Sequence, residues 1–184
     1  MTMALNEADR TSLLATARET IAAKLQNRPP IYPPYSEAVL QTGGAFVTLH
    51  QAGRLRGCIG RMSAELSILE TVQTMAQAAA FEDPRFPPLD SSELPTVKLE
   101  ISVLSPLEPI SLSAIQIGVH GVYLRYRGRS AVFLPQVAPE QGWDIDSLLE
   151  NLCYKAGLAA GSQQQPGAEL LGFTALVFSE PQDR

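Results

Sequence analysis

Apolar side chains recur along this chain at two spacings, one typical of amphipathic helices and the other of half-buried strands. The helical spacing is clear at Leu14, Ala17 and Ile21, where Asn6 and Asp9 provide a start signal ahead of the first turn. Together the two patterns predict helices over residues 7–27, 67–81 and 146–156, and strands over residues 44–50, 54–59, 97–104, 121–126, 130–134 and 169–178.

Glycine-containing turns separate two pairs of these strands. Gln51-Ala52-Gly53 predicts a hairpin over residues 44–59, and Arg127-Gly128-Arg129 predicts a second hairpin over residues 121–134. Because hairpins pair their strands antiparallel, the expected fold class is α+β, with antiparallel sheets and flanking helices. Residues 29–36 contain four prolines, which predicts an extended arm over the surface or between lobes.

The length and net charge of the chain limit the number of domains and the classes of function that it can have. The 184 residues are enough for one domain with a full core, or for one domain with two lobes. The net charge of −5 argues against a general nucleic-acid binder, and no apolar run approaches the roughly 18 residues that span a bilayer. With no signal peptide pattern and two distant cysteines, we expect a reduced, cytoplasmic protein without a membrane partner.

The stretch Leu55-Arg56-Gly57-Cys58-Ile59-Gly60 places a cysteine between two glycines. On a regular strand Cys58 shares one face with Arg56, whereas Leu55 and Ile59 share the other. An arginine on the cysteine's face favours the thiolate, and the glycines leave space for a ligand. The alternative is a structural cysteine, because unpaired cysteine often behaves as a small buried apolar residue.

This hexapeptide resembles the hallmark of the AMMECR domain family, also called AmmeMemoRadiSam system protein A. Four further blocks follow in the family's order: Ala80-Phe81-Glu82-Asp83-Pro84-Arg85-Phe86-Pro87-Pro88-Leu89, Leu99-Glu100-Ile101-Ser102-Val103-Leu104-Ser105, Phe133-Leu134-Pro135-Gln136-Val137 and Leu152-Cys153-Tyr154-Lys155-Ala156-Gly157. The resemblance implies a single domain over residues 1–184 with two lobes around a cleft. It also implies an accessory or enzymatic role in a pathway shared with a radical-SAM protein and a Memo-type protein.

Cys58 and Glu100 are the candidate catalytic residues. Cys58 is expected to act as a nucleophile or a redox group, and Glu100 as a base or a ligand anchor in the cleft. Glu100 lies mid-strand on the polar side of residues 97–104, so it is alternatively an exposed carboxylate paired with Lys98 or Arg56. His50 is a further conceivable partner of Cys58 across the hairpin, or else a solvated histidine at the edge of the core.

Asp83 and Arg85 flank Pro84 in a rigid loop, and two interpretations are open. In one, Asp83 accepts backbone amides while Arg85 bridges to a strand. In the other, both side chains recognise a ligand. The remaining ligand-binding candidates are Arg56, Gly57, Gly60, Ser102 and Gln136.

No cluster of His, Cys and carboxylate residues has metal-ligand spacing, so we expect neither a metal nor a cofactor. Cys153 shares a helix face with Leu149 and Ala156 and is expected in the core. Two functions remain open. In one, a small acidic metabolite binds to or reacts at Cys58; in the other, the chain is a non-catalytic adaptor for a partner protein.

Overall fold

The chain divides into two compact units in the computed structural model, which describes residues 5–181. The larger unit contains residues 5–105 and 176–181, and the smaller unit contains residues 106–175. Each unit has its own four-stranded sheet and its own apolar core. The predicted α+β class is therefore confirmed, whereas the cleft between two lobes stays a prediction.

Four helices and eight strands make up the described chain. In chain order they are α1 (Glu7–Leu25), β1 (Ala45–Gln51), β2 (Arg54–Arg61), α2 (Ile68–Phe81), β3 (Val97–Leu104), β4 (Glu108–Pro109), β5 (Gly121–Tyr126), β6 (Arg129–Phe133), α3 (Val137–Gln141), α4 (Ile145–Lys155), β7 (Glu169–Phe173) and β8 (Ala175–Ser179). Within residues 5–181, none of the helices is long and apolar enough to cross a membrane.

The sheet of the larger unit has the strand order β2-β1-β3-β8. Helices α1 and α2 share its apolar core with alternate residues of β1 and β3, namely Val47, Leu49, Leu99 and Ile101. Because strand side chains alternate, the residues between them face the opposite side of the sheet. That second side carries Thr48, Glu100 and, by register, Cys58.

The helix ends show why α1 is shorter than predicted. The predicted start at Asn6 and Asp9 is confirmed and is a capping box, in which each side chain accepts the other residue's backbone N–H. The helix ends at Leu25, two residues before the predicted end, because Asn27 adopts a left-handed φ of 50° and prolines follow. Residues 29–36 then form neither helix nor strand.

The hairpin of β1 and β2 turns at Ala52 and Gly53, whose φ angles of 49° and 74° are those of the tight turn that fits strand twist. Its register is regular from Ala45↔Arg61 to Leu49↔Gly57 and then shifts, because His50 pairs with Leu55. Strand β2 therefore contains a bulge, which sequence alternation does not reveal.

The smaller unit has the strand order β4-β7-β5-β6. Here the single strand predicted over residues 169–178 is wrong, because it is two strands separated at Thr174. Strand β7 pairs with β5 in the smaller unit, whereas β8 joins the sheet of the larger unit. The break at Thr174 separates the part that pairs in one sheet from the part that pairs in the other.

The start of α4 also differs from the prediction. The N-cap is Asp144, not Asp146, and its side chain accepts a hydrogen bond of 2.8 Å from the backbone N–H of Ser147. The helix therefore begins at Ile145 and ends at Lys155. On its buried side Cys153 is fully enclosed, which confirms its predicted place in the core.

Candidate functional site

Two side chains of one loop bind the backbone N–H and C=O groups of Cys58. Cys58 lies on β2, an edge strand of its sheet, so alternate N–H and C=O groups point away from β1. The N–H of Cys58 donates to Asp83 Oδ2 at 2.9 Å, and its carbonyl oxygen accepts from Arg85 Nη2 at 3.1 Å. We call this pair of side chains the Asp83–Arg85 clamp; it replaces a neighbouring strand at this one residue.

The two side chains of the clamp also bind each other. Arg85 donates to Asp83 through Nε at 2.9 Å and Nη2 at 2.7 Å, and its backbone N–H adds a bond of 3.1 Å. The Asp83 side chain is 2% exposed, whereas that of Arg85 is 55% exposed. The hydrogen bonds from Arg85 hold the pKa of the Asp83 carboxyl well below its usual range, against the opposing effect of burial.

These contacts fit the loop-stabilising interpretation of Asp83 and Arg85. Asp83 accepts two backbone amides and Arg85 bridges to a strand, as that interpretation requires. Recognition of a ligand by the same two residues stays a prediction.

The sulfur of Cys58 lies on the side of the sheet that faces away from α1 and α2. Thr48 of β1 pairs with Cys58 on one side and with Glu100 of β3 on the other, so the three side chains form a row. The Thr48 hydroxyl donates to Cys58 Sγ at 3.2 Å. Cys58 itself is partly buried and has no disulfide partner.

Glu100 shares this side of the sheet but is not next to Cys58. Strand β1 lies between them, which separates their Cα atoms by about 9–10 Å at a strand spacing of about 4.8 Å. On β1, His50 Nε2 lies 3.9 Å from Glu100 Oε1. Cys58 and Glu100 are therefore too far apart for direct proton transfer in this arrangement.

The predicted faces of β2 need a correction at Leu55 and Arg56. The bulge makes Arg56 the extra residue, so Leu55 pairs with His50 and shares the side of Cys58. Arg56 turns to Glu93 instead, with bonds of 2.7 Å from Nε and 2.8 Å from Nη2. Both side chains of this ion pair are mostly buried, so Arg56 serves a structural pair and is not directed at the sulfur.

Other protein atoms occupy the space next to Gly57 and Gly60. A Cβ on Gly57 would lie 2.2 Å from the carbonyl oxygen of Ala79, so this glycine lets β2 approach the backbone of α2. A Cβ on Gly60 would lie 2.1 Å from the ring of Phe46, its partner on β1. The space that the sequence assigned to a ligand is thus occupied by protein atoms at both positions.

Comparison with known proteins places this chain in a family. A family model described as AMMECR1 matches residues 14–178. The chain belongs to the AMMECR1 family. A protein of Methanothermobacter thermautotrophicus is 35% identical over 178 residues, which cover 92% of this chain and 93% of that protein. A protein of Methanocaldococcus jannaschii is 34% identical over 177 residues, covering 91% and 88%.

A solved structure shares the fold of this AMMECR1-family protein. The crystal structure of an uncharacterized protein from Pyrococcus horikoshii superposes with a TM-score of 0.87 at 31% identity, covering 97% of this chain and 94% of that chain. The relatives therefore establish the family and the α+β architecture.

The last two candidates lie in different units. Ser102 is buried on β3, paired with Phe46 on the same side of the sheet as Glu100. Gln136 belongs to the smaller unit, where it precedes α3 in a helical backbone conformation and makes no side-chain capping bond. Both stay predictions as ligand-binding residues. Within residues 5–181, no group of three or more His, Cys, Asp or Glu side chains is placed to hold a metal ion.

Sequence reasoning missed Thr48 and Glu93. Thr48 is visible only as one polar position in an alternating strand, and its contact with Cys58 depends on a hairpin register that one sequence does not fix. Glu93 lies 37 residues from Arg56, in a loop with no periodic pattern. The two-residue turn at Ala52 and Gly53 would by itself pair Cys58 with Val47. The bulge at Arg56 moves Cys58 opposite Thr48, so no local signal in the sequence identifies this contact.

Proposed function

We propose that this AMMECR1-family protein uses Cys58 as a functional thiol that binds a small metabolite or reacts with it. One observation carries the proposal: the Asp83–Arg85 clamp holds both backbone polar groups of Cys58 while its sulfur faces away from the helices. A group whose backbone is held in this way is preorganised, which is how binding and reacting groups gain strength.

The position of the sulfur distinguishes this proposal from a structural role. A structural cysteine on β2 belongs among the core residues that pack on α2, where Val47 and Leu49 lie. Cys58 is on the opposite side of the sheet and is partly buried. In its row across the sheet the side chains are polar, with Thr48 in contact and Glu100 beyond it.

In this proposal Glu100 anchors the ligand and does not act as a direct base, because β1 separates it from the sulfur. The guanidinium of Arg85 is the exposed cation beside the Cys58 backbone, and an acidic metabolite is the ligand class that it would attract. The shared pathway with a radical-SAM protein and a Memo-type protein rests on the family resemblance alone.

The proposal is tested by the alkylation rate of Cys58 at pH 7, followed by peptide-resolved mass spectrometry. The neutral reagent is iodoacetamide and the acidic one is iodoacetate, each applied to the native chain and to the chain unfolded in urea. We expect native Cys58 to react at least about threefold faster than unfolded Cys58, since even half a pH unit of thiol shift changes the thiolate fraction by that factor. Cys153, fully buried, serves as the internal control and should react only after unfolding.

Two outcomes separate the parts of this proposal. Native Cys58 that reacts no faster than in the unfolded chain with either reagent contradicts a functional thiol. Native acceleration that is no greater for iodoacetate than for iodoacetamide contradicts the acidic ligand class while leaving the thiol itself supported.

A second candidate, an adaptor for a partner protein, is favoured by the arm of residues 29–36. Ile31 and Tyr35 are 80% and 49% exposed, an unusual display of apolar surface on a proline-rich segment. The arm is fixed along α1, because Glu19 accepts the N–H of Ile31 at 2.7 Å and Ser12 donates to the Pro34 carbonyl at 3.2 Å.

Binding of purified Memo-type and radical-SAM proteins from the source organism tests the adaptor function by sedimentation. The double variant Ile31→Ser, Tyr35→Ser should weaken a complex at least about tenfold, because exposed apolar anchors carry such interfaces. The control is Val177→Ser, which removes a similarly exposed apolar side chain from β8. Equal binding by the arm variant and the wild type would contradict this candidate.

A further inference from the structure

The Cys58 sulfur has a hydrogen-bond donor that the family motif does not include. Thr48 Oγ1 donates to Cys58 Sγ at 3.2 Å, which is within normal range for a bond to sulfur. Thr48 lies on β1, whose backbone pairs with β2 on one side and β3 on the other. We propose that Thr48 is a positioning residue of the Cys58 site, whose hydroxyl orients the sulfur and stabilises the thiolate. This inference rests on the proposed function of Cys58.

The geometry explains why a threonine suits this position. Its Cβ carries both a methyl and a hydroxyl group, which restricts the side chain to few rotamers on a strand. Directly opposed residues of antiparallel strands have Cβ atoms about 4.5–5.5 Å apart, so the hydroxyl of Thr48 meets the sulfur of Cys58 without any backbone movement. A donor that faces sulfur stabilises the charged form more than the neutral thiol.

Among the polar and charged side chains described around Cys58, Thr48 is placed to donate to the sulfur. Glu100 is a carboxylate one strand further away and disfavours a neighbouring negative charge. Arg56 is engaged with Glu93, and Arg85 donates to the backbone of Cys58 and to Asp83. The hydroxyl of Thr48 is thus the side-chain donor seen in contact with the sulfur among the described residues.

The test is the pH dependence of Cys58 alkylation by iodoacetamide in the variants Thr48→Val and Thr48→Ser. Valine keeps the branched shape and suits a strand but lacks the hydroxyl, whereas serine keeps the hydroxyl. We expect Thr48→Val to shift the midpoint of the rate profile upward by about one pH unit, a tenfold change in thiolate fraction at neutral pH. Thr48→Ser should stay within about half a unit of the wild type.

A matched control is Thr74→Val, on α2, whose hydroxyl donates to the carbonyl oxygen of Glu70 and has no contact with Cys58. It should leave the rate profile unchanged. Thermal melts and circular dichroism of all variants establish that each is folded before its rate profile is compared.

The outcomes separate this inference from the function on which it rests. If wild-type Cys58 reacts no faster than in the unfolded chain, the proposed function fails. If wild-type Cys58 is fast and Thr48→Val keeps the wild-type midpoint, only the role of Thr48 is overturned. Equal shifts in Thr48→Val and Thr48→Ser overturn it too, because the hydroxyl is then not the cause.

Discussion

The two cysteines occupy opposite environments. Cys153 is fully buried in the core of the smaller unit, where its thiol donates to Gln163 Oε1 at 3.1 Å. Cys58 is partly buried on the side of the sheet that carries Thr48 and Glu100. The same substitution at the two positions therefore has different consequences for stability.

Replacing each cysteine by serine tests this contrast. Cys58→Ser should change the free energy of unfolding by less than about 1 kcal/mol, as surface substitutions usually do. Cys153→Ser should lower it by about 1–3 kcal/mol, because a smaller, more polar hydroxyl replaces the sulfur among apolar core residues, although Gln163 can still accept its hydrogen bond. Denaturant unfolding of both variants measures the difference, and a larger loss for Cys58→Ser would reverse the assignment of the two residues.

The lowered pKa of the Asp83 carboxyl predicts that the free energy of unfolding falls at acid pH. Its pKa is lowered in the folded chain, mainly by Arg85, so it stays ionised at pH values where the unfolded chain takes up a proton. The stability that it contributes is therefore complete above about pH 5 and is lost as the pH falls below about 4, the pKa of an unperturbed aspartate.

The variant Asp83→Asn isolates this contribution from the other carboxylates. At pH 7 it should be about 1–2 kcal/mol less stable than the wild type, a modest figure because Arg85 is half exposed and solvent screens the pair. The difference should shrink as the pH falls from 6 to about 3, measured by urea unfolding at each pH. Parallel stability curves would show that the carboxylate charge has no such role.

At the scale of elements, strand β2 is fitted closely against helix α2. The missing side chain of Gly57 allows the Ala79 carbonyl to approach, and that carbonyl belongs to helix backbone that cannot move aside. By contrast, Gly53 in the hairpin turn has open space around it but a φ of 74°. The two glycines are thus needed for different physical reasons.

Alanine substitution distinguishes these reasons. Gly57→Ala should destabilise the chain by more than about 2 kcal/mol, because overpacking against fixed backbone is costly. Gly53→Ala should lose only about 1 kcal/mol, which is the strain of a left-handed alanine. Thermal denaturation ranks them, and a smaller effect for Gly57→Ala would contradict the close approach of β2 and α2.

The N-cap of α4 is a second element whose residue can be tested. Asp144→Ala should lower the melting temperature by about 2–4 °C, because the N–H of Ser147 loses its acceptor. Asp146→Ala, which removes only a first-turn charge, should lower it by less than about 1 °C. An equal or larger loss for Asp146→Ala would contradict the assignment of Asp144 as the N-cap.

Local patterns predict elements well here and their pairing poorly. The start signal of α1, both hairpin turns and the alternation of β3 can be identified from the sequence, because each depends on residues close together in the chain. The bulge at Arg56 and its pairing with Glu93 depend on contacts between distant segments, so the predicted faces of Leu55 and Arg56 were wrong. Of the candidate site, the position of Cys58 was therefore predictable and its contacts were not.

At the scale of the whole molecule, the larger unit is made of two separate chain segments, and the smaller unit lies between them in sequence. Residues 106–175 form the smaller unit, and β8 then joins the sheet that residues 45–104 began. Apolar periodicity is continuous across β7 and β8, so it does not mark the passage between two sheets at Thr174. The division of a strand between units is a property of long-range pairing.

The clearest long-range result is that two blocks of the family resemblance meet. The hexapeptide around Cys58 and the loop that contains Asp83 and Arg85 are separated by about 25 residues, yet the loop holds the backbone of the cysteine. The central claim of our account is that this Asp83–Arg85 clamp fixes Cys58 on an edge strand while its thiol stays on the polar side of the sheet.

Amide hydrogen exchange of Cys58, followed by NMR, tests that claim most directly. Although this N–H points away from β1, it should be protected in the wild type, and Asp83→Ala should speed its exchange at least about tenfold. The amide of Ile59, which points toward β1, is the control and should change by less than about threefold. Wild-type exchange at the rate of an unfolded chain, or no change in Asp83→Ala, would contradict the clamp.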